Sequence, residues 1–206
     1  MKKVLRLQLL LVSFITFLSS CSIPAAQVKP LDGSSVKVER PVWQVGDSWT
    51  YQTPEGGTTR TDQVVRRDGE EYVLKRGEVD QLRLTPGLSL KQILVSGEAT
   101  DDFTPAIDYF QWPLEVGKPW RVECDCKRKG TPNLLKVLAN VTVESYEQVT
   151  VPAGSFPAFR VYYKDGFGRA PYIYWYAPSV KNWVRWEDYR EKTVWELKSF
   201  QLAKGQ

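Results

Sequence analysis

Short segments rich in Val, Thr, Tyr and Trp, cut by Gly- and Pro-bearing turns about every 8–12 residues, constrain this chain more than any other feature. The turn signals include Pro54-Glu55-Gly56-Gly57, Asp68-Gly69, Arg76-Gly77, Pro86-Gly87, Ser96-Gly97, Pro152-Ala153-Gly154, Asp165-Gly166 and Ala177-Pro178. This spacing predicts an all-β chain. The expected form is an antiparallel meander forming a curved sheet or incomplete barrel of about eleven strands, with at most one short helix.

The alternation supports this locally. From Trp120 to Lys127, one face carries Trp120, Val122, Cys124 and Cys126, and the other carries Arg121, Glu123, Asp125 and Lys127. Val137, Ala139, Val141 and Val143 share a face in the next segment. Pro152 presets a turn and Gly154 supplies a positive φ, so Val151–Phe156 reads as a hairpin. Tyr172–Tyr176 is apolar or amphipathic on both faces, which requires cover on both sides or a groove on one.

Residues 96–119 break the rhythm, with Thr104-Pro105 able to start one short helix. This stretch is a candidate lid or partner-contacting segment; the alternative is a connection whose aromatics plug one barrel end. Two segments echo each other, Val45-Gly46-Asp47-Ser48-Trp49 and Val116-Gly117-Lys118-Pro119-Trp120. Each reads as a turn delivering a Trp into the core, with Gly46 and Gly117 in conformations other residues avoid.

The first 21 residues have a basic start, an apolar run from Leu7 to Leu18, and the end Leu18-Ser19-Ser20-Cys21. The run has secretory h-region length and is too short to cross a bilayer as a helix. The segment resembles the bacterial lipoprotein signal, in which Cys21 becomes the lipidated first residue. The expected organisation is a signal peptide over 1–20, a lipidated Cys21 with a flexible tether over 21–40, and a single β domain over 41–206. Several acyl chains anchor stably without spanning. Ser22 after the Cys points to a cell-envelope location, at the outer membrane and facing the periplasm, if the host has one.

Composition narrows the function. Residues 1–20 hold Lys2, Lys3 and Arg6 and no acid, so of 28 basic and 24 acidic residues, 25 and 24 belong to the remainder. A near-neutral body argues against a nucleic-acid partner. With no His in the chain, Ser-His-Asp and Cys-His catalysis and His-ligated metals are excluded.

A wider resemblance rests on Val45-Gly46-Asp47-Ser48-Trp49-Thr50-Tyr51, Pro113–Trp120, Val149–Phe156 with its Val-Pro-Ala-Gly-x-Phe core, and Tyr174-Trp175-Tyr176-Ala177-Pro178 followed by Trp183-Val184. Over residues 43–190 the chain is similar to secreted or lipid-anchored bacterial β-rich proteins of unknown function. The resemblance implies a curved antiparallel sheet or incomplete barrel and brings no catalytic residue or substrate. Pro157 departs from the pattern after the Phe.

Cys124 and Cys126 are the one reactive-looking pair, a candidate disulfide or redox pair in an oxidising compartment. Inert buried thiols, an intermolecular bridge and a metal site are the other readings, the last weakened by the lack of further ligands. Residues i and i+2 of a strand sit at the upper edge of disulfide geometry, and so short a loop gains only about 1.6 kcal/mol. Asp101, Asp102 and Asp108, or Glu187 and Asp188, offer carboxylates for hydrolysis, although nothing in their spacing fixes the required geometry. Lys127-Arg128-Lys129-Gly130 reads as a solvated turn or a headgroup contact.

Candidate ligand or partner contacts are Phe103, Tyr109, Phe110, Trp112, Tyr174, Trp175 and Tyr176; no cofactor, metal or catalytic residue is expected. The leading functional expectation is a lipid-anchored, non-catalytic envelope protein whose β domain binds a protein partner or an apolar ligand. An envelope enzyme, either a carboxylate hydrolase or a C-x-C redox protein, and a lipid or lipoprotein carrier remain as alternatives.

Overall fold

The computed structural model describes residues 27–204 apart from 34, 79 and 170. Cys21 and the expected signal peptide lie outside the described residues.

Among the described residues there are fifteen strands and one three-residue 3-10 turn, Pro178–Val180. In chain order the strands are β1 (Gln27–Pro30), β2 (Lys37–Val38), β3 (Ser48–Gln52), β4 (Thr59–Asp68), β5 (Glu71–Arg76), β6 (Asp80–Leu84), β7 (Leu90–Val95) and β8 (Glu98–Ile107). They continue as β9 (Leu114–Glu115), β10 (Pro119–Arg128), β11 (Leu135–Val151), β12 (Gly154–Asp165), β13 (Tyr172–Ala177), β14 (Asn182–Asp188) and β15 (Thr193–Gln201).

The architecture is an all-β antiparallel meander. β3 to β8 and β10 to β15 pair in sequence order, and β15 returns to β3, setting Leu197 opposite Tyr51. Twelve strands therefore form a closed ring, which leaves no free edge in the barrel wall. The order follows from the turns, since strands joined by two to six residues can only lie antiparallel to their neighbours. At the β11–β12 hairpin, Val151 faces Gly154, whose φ is +133°.

The repeated Val-Gly-x-x-Trp segments fold alike. Gly46 (φ +100°) donates its N–H to the Val64 carbonyl, and Val64 donates back to the carbonyl of Asp47. Gly117 (φ +87°) donates to Val143, and Val143 donates back to Lys118. Each turn thus clips onto a Val of a neighbouring strand and launches a strand whose first Trp is buried, Trp49 or Trp120. Indole N–H groups then tie distant segments together. Trp49 Nε1 donates to the Val180 carbonyl at 2.9 Å and Trp43 Nε1 to the Lys181 carbonyl at 2.8 Å. These bonds dock the turn after Ala177-Pro178 onto the start of the barrel.

Residues 98–107 form β8, so the expected break and the helix start at Thr104-Pro105 are corrected. The reason is a large irregularity. Gln92 of β7 faces Asp102, yet Leu90 faces Ile107, so β8 spends five steps where β7 spends two. The excess residues erase the alternation, and the expelled stretch around Pro105 tolerates an imide that cannot donate to a ladder.

The segment expected as a tether carries β1 and β2. β11 outruns β10, whose pairing covers Leu135–Thr142, and β1 takes up the ladder groups left open at Glu147–Thr150. β2 pairs with β9 in a separate two-stranded sheet.

Candidate functional site

A ring of twelve strands is too wide for its own wall side chains to fill. Here the segment after β8 enters the lumen. Tyr109 packs edge-on against Tyr174 at 5.7 Å between ring centroids, Trp112 edge-on against Tyr176 at 5.1 Å, and Phe110 tilted against Tyr176 at 5.1 Å. Trp112 Nε1 donates to the Gly87 carbonyl at 3.2 Å, and Trp120 Nε1 to the Asp108 carbonyl at 3.1 Å, so the inserted loop is pinned from both sides. Of the stretch read as a lid or a plug, Tyr109, Phe110 and Trp112 pack into the barrel, while most of the rest is wall.

The described residues leave at least two chambers, with Tyr109 and Tyr174 lining both. The inner chamber has a volume of about 120 Å³ and is walled by leucines of β5, β6 and β7 together with Phe110, Trp112 and Trp183. The outer chamber, about 810 Å³, opens at the barrel end where β11 begins. Its lining includes Phe103, Tyr172, Trp186 and Val137, with Arg128, Arg169 and Arg190 at the rim. Such a volume lies within the range of small-molecule sites. Leu134, Phe167 and Tyr189 are more than half exposed; Leu134 and Tyr189 adjoin the lining residues Leu135 and Arg190 in sequence, and the Phe167 ring centroid lies 5.3 Å from the Arg169 guanidinium.

Of the seven aromatic residues singled out in the sequence, the fold distributes six between these chambers: Phe103 to the outer, Phe110, Trp112 and Tyr176 to the inner, Tyr109 and Tyr174 to both. Trp175 lies elsewhere. Its indole N–H donates to Glu147, and the guanidinium groups of Arg160 and Arg185 lie 5.7 and 5.6 Å from its ring.

The lumen also holds an ionic cluster that the sequence reading missed. Asp62 is buried, with a side chain 1% exposed. It accepts hydrogen bonds from Arg76 Nε and from Arg76 Nη2, the latter at 2.9 Å, and Arg60 Nε lies 3.3 Å away. The Arg60 guanidinium sits 4.8 Å from the Trp195 ring centroid, 5.7 Å from Tyr51 and 5.8 Å from Trp183. Burial and the neighbouring Arg76 charge lower the Arg60 pKa, whereas at Arg76 burial is outweighed by Asp62 and the pKa rises. Arg60, Asp62 and Val64 share one face of β4, which alternation alone reads as a solvent face. The only sequence signal was a run of charge inside a strand flanked by aromatic strands.

The rim cations each have an acidic neighbour. Arg128 bonds Asp101 at 2.6 Å, Arg169 bonds Asp165 at 2.6 Å, and Lys136 bonds Asp125 at 2.5 Å. Burial raises the Asp101 pKa, but hydrogen bonds led by Arg128 outweigh it and hold the carboxyl below its ordinary value. Each carboxylate considered for hydrolysis is engaged by a partner of its own. Asp101 pairs with Arg128, Asp102 accepts from Gln92 Nε2 at 2.5 Å, and Asp108 accepts from the Ser89 hydroxyl. Glu187 binds Arg185 at 2.6 Å, and Asp188 caps the backbone N–H groups of Arg190 and Glu191.

Cys124 and Cys126 are free, buried thiols on the lumen face of β10. Cys126 Sγ donates to Asp101 at 3.5 Å, and burial together with that carboxylate pushes its thiol up to about 11. Burial raises the Cys124 thiol as well. Both are therefore protonated at neutral pH, the state of low nucleophilicity.

The fold and chambers define a class: a closed antiparallel meander barrel with a partly plugged lumen. No family model matches the chain, and no curated protein does. Among solved structures it is similar to an exported protein with a YmcC-like fold from Bacteroides fragilis, with 15% identity and a TM-score of 0.46 over 80% of this chain and 99% of that one. It is also similar to a lipoprotein from Parabacteroides distasonis, with 13% identity and a TM-score of 0.41 over 80% and 99% of the two chains. A third is the hypothetical lipoprotein YmcC of Escherichia coli, with 9% identity and a TM-score of 0.47 over 79% and 86%.

Proposed function

We propose that this is a lipid-anchored cell-envelope protein whose barrel works as a non-catalytic container, taking an apolar ligand or the apolar segment of a partner into its outer chamber. The observation that carries the reading is the open chamber of about 810 Å³ with an aromatic floor and exposed apolar side chains beside its rim. Exposed apolar groups clustered at one opening are a feature of binding surfaces.

The anchor gives the container a direction. Lipidation at Cys21 would leave six chain steps to Gln27, at most about 20 Å. Gln27 pairs with Thr150, whereas the chamber opens beside Leu135, fifteen residues away along β11 and so about 50 Å along the strand. The mouth then faces away from the anchoring bilayer, toward the aqueous side. An outer-membrane position facing the periplasm fits Ser22 after the acylated Cys.

The test is binding of the apolar fluorophore N-phenyl-1-naphthylamine to a Cys21→Ser chain purified without detergent. One site per chain, weakened at least about tenfold by Phe103→Asp in the floor, is the expected result. No binding, or binding unchanged by Phe103→Asp in a normally folded variant, overturns the container reading.

A further inference from the structure

The two chambers meet at a place rich in hydrogen-bond donors and poor in acceptors. Arg76 directs Nε and Nη2 at Asp62, while 30% of its side chain is still exposed, toward the inner chamber that it lines. Arg60 and Arg76 share the single carboxylate of Asp62, so the cluster carries one positive charge in excess. Tyr109 and Tyr174, which line both chambers, share the inner-chamber wall with Arg76, and neither hydroxyl bonds to a protein atom among the described residues. Beside them, the buried Tyr163 hydroxyl and Trp186 Nε1 also have no partner.

Buried donors without acceptors are costly, and an unbalanced buried cation more so. The indole N–H groups of Trp43, Trp49, Trp112, Trp120 and Trp175 are bonded, two of them on the inner-chamber wall itself. Behind Arg76 the inner chamber is lined by Leu74, Leu82, Leu84, Leu88, Leu90 and Ile93.

We propose that this junction is a carboxylate-binding site: Arg76, with the hydroxyls of Tyr109 and Tyr174, receives a small organic carboxylate whose apolar part lies among these leucines. The anion balances the Arg60–Asp62–Arg76 cluster and supplies the missing acceptors. The inner volume of about 120 Å³ sets the size of the apolar part, since an apolar cavity of about 150 Å³ accommodates benzene. A single ring or a short branched chain fits; a long acyl chain does not fit within the inner chamber alone. The inference rests on the container reading and names the ligand class of its inner compartment.

Benzoate is the probe, with benzyl alcohol as its neutral counterpart and sodium chloride as the ionic-strength control. For the Cys21→Ser chain, millimolar benzoate is expected to raise the melting temperature by a few degrees in a saturable way, with benzyl alcohol and chloride giving less than half that shift. Arg76→Gln should weaken benzoate at least about tenfold in a titration of tryptophan fluorescence while leaving the benzyl alcohol response alone. If Arg76→Gln does not fold, Leu82→Trp, which fills the inner chamber and keeps the arginine, should abolish benzoate binding instead. Equal responses to benzoate and benzyl alcohol, or none to benzoate, overturn the proposal. The naphthylamine assay separates the two readings: dye binding without benzoate binding sinks the carboxylate site alone, and loss of both sinks the container as well.

Discussion

Replacing Asp62 by Asn should expose how far the barrel depends on its buried ion cluster. Asn is nearly isosteric and can still accept one hydrogen bond from Arg76, so the change removes charge more than shape. What remains is Arg60 and Arg76 facing each other with no carboxylate between them, at side-chain exposures of 20% and 30%. Removing one partner of a buried pair costs about 3–5 kcal/mol. Arg60 keeps its three aromatic faces and Arg76 borders a chamber, which places the expectation near the lower end, about 3 kcal/mol. For a domain of this size that corresponds to a fall in melting temperature of about 6–12 °C. Urea unfolding followed by tryptophan fluorescence gives the free energy directly. A double variant, Asp62→Asn with Arg76→Gln, returns the cluster to the parent's excess of one positive charge and should recover at least about 1 kcal/mol relative to Asp62→Asn alone. A single-variant loss under about 1 kcal/mol, or a double variant weaker than the sum of its parts, would refute the account of the cluster as an electrostatically unbalanced core.

Three further expectations follow from the same interior. Trp49→Phe keeps most of the buried ring but strands the Val180 carbonyl, so it should cost about 1–3 kcal/mol in urea unfolding; a loss below about 0.5 kcal/mol would contradict the role of that hydrogen bond. Asp101 has its carboxyl held low in the folded state, so its contribution is present above the unfolded value near 3.8 and disappears as pH falls from there toward the folded value. Melting curves between pH 2 and 6 should therefore fall less steeply for Asp101→Asn than for the parent, and parallel curves would argue against the assignment. In the reduced Cys21→Ser chain, Cys124 and Cys126 should resist a charged disulfide reagent while folded and both react once unfolded, because each is buried and protonated; two fast-reacting thiols in the folded chain would reverse that picture.

Much of the wall was legible because its cause is local. Turn residues fix where strands end, and alternation shows in Trp120–Lys127 because β10 has one face on the lumen and one in solvent. Tyr172–Tyr176 was read as covered on both faces or facing a groove on one, and Ile173 and Trp175 are buried on one face while Tyr174 and Tyr176 line the lumen on the other. The Val-Gly-x-x-Trp echo was legible for a similar reason, since a positive φ at glycine is a property of a few consecutive residues. β8 was illegible because the stretch around Pro105 bulges out of register. The Arg60–Asp62–Arg76 cluster was hidden because charges inside a barrel obey the same period as charges outside it. The pairing of β15 with β3 joins residues roughly 150 positions apart, and no local signal encodes that distance.

Strand number links these observations to function. About eight strands enclose a lumen that wall side chains can fill, and each added strand widens the ring further. Twelve strands leave more space than the inward residues of this chain occupy, so closure creates a second requirement, an interior filler. Tyr109, Phe110 and Trp112 meet that requirement from one loop, and Trp43 from the segment before β3. The filler divides the lumen without filling it, because three rings from one loop occupy the middle and leave both sides open. A wall needing only stability could have closed with fewer strands and no plug. The partition by Tyr109 and Tyr174, with leucines on one side and an open mouth on the other, is therefore the part of the molecule that stability alone does not explain. Shortening the ring is not a feasible experiment, but shrinking the filler is. Phe110→Ala should merge inner-chamber volume with the space vacated by the ring and cost about 3–5 kcal/mol if the site cannot collapse. If the inserted loop instead behaves as a detachable lid, the same substitution should cost less than about 1 kcal/mol in urea unfolding, and the division of the barrel into two chambers would lose its structural basis.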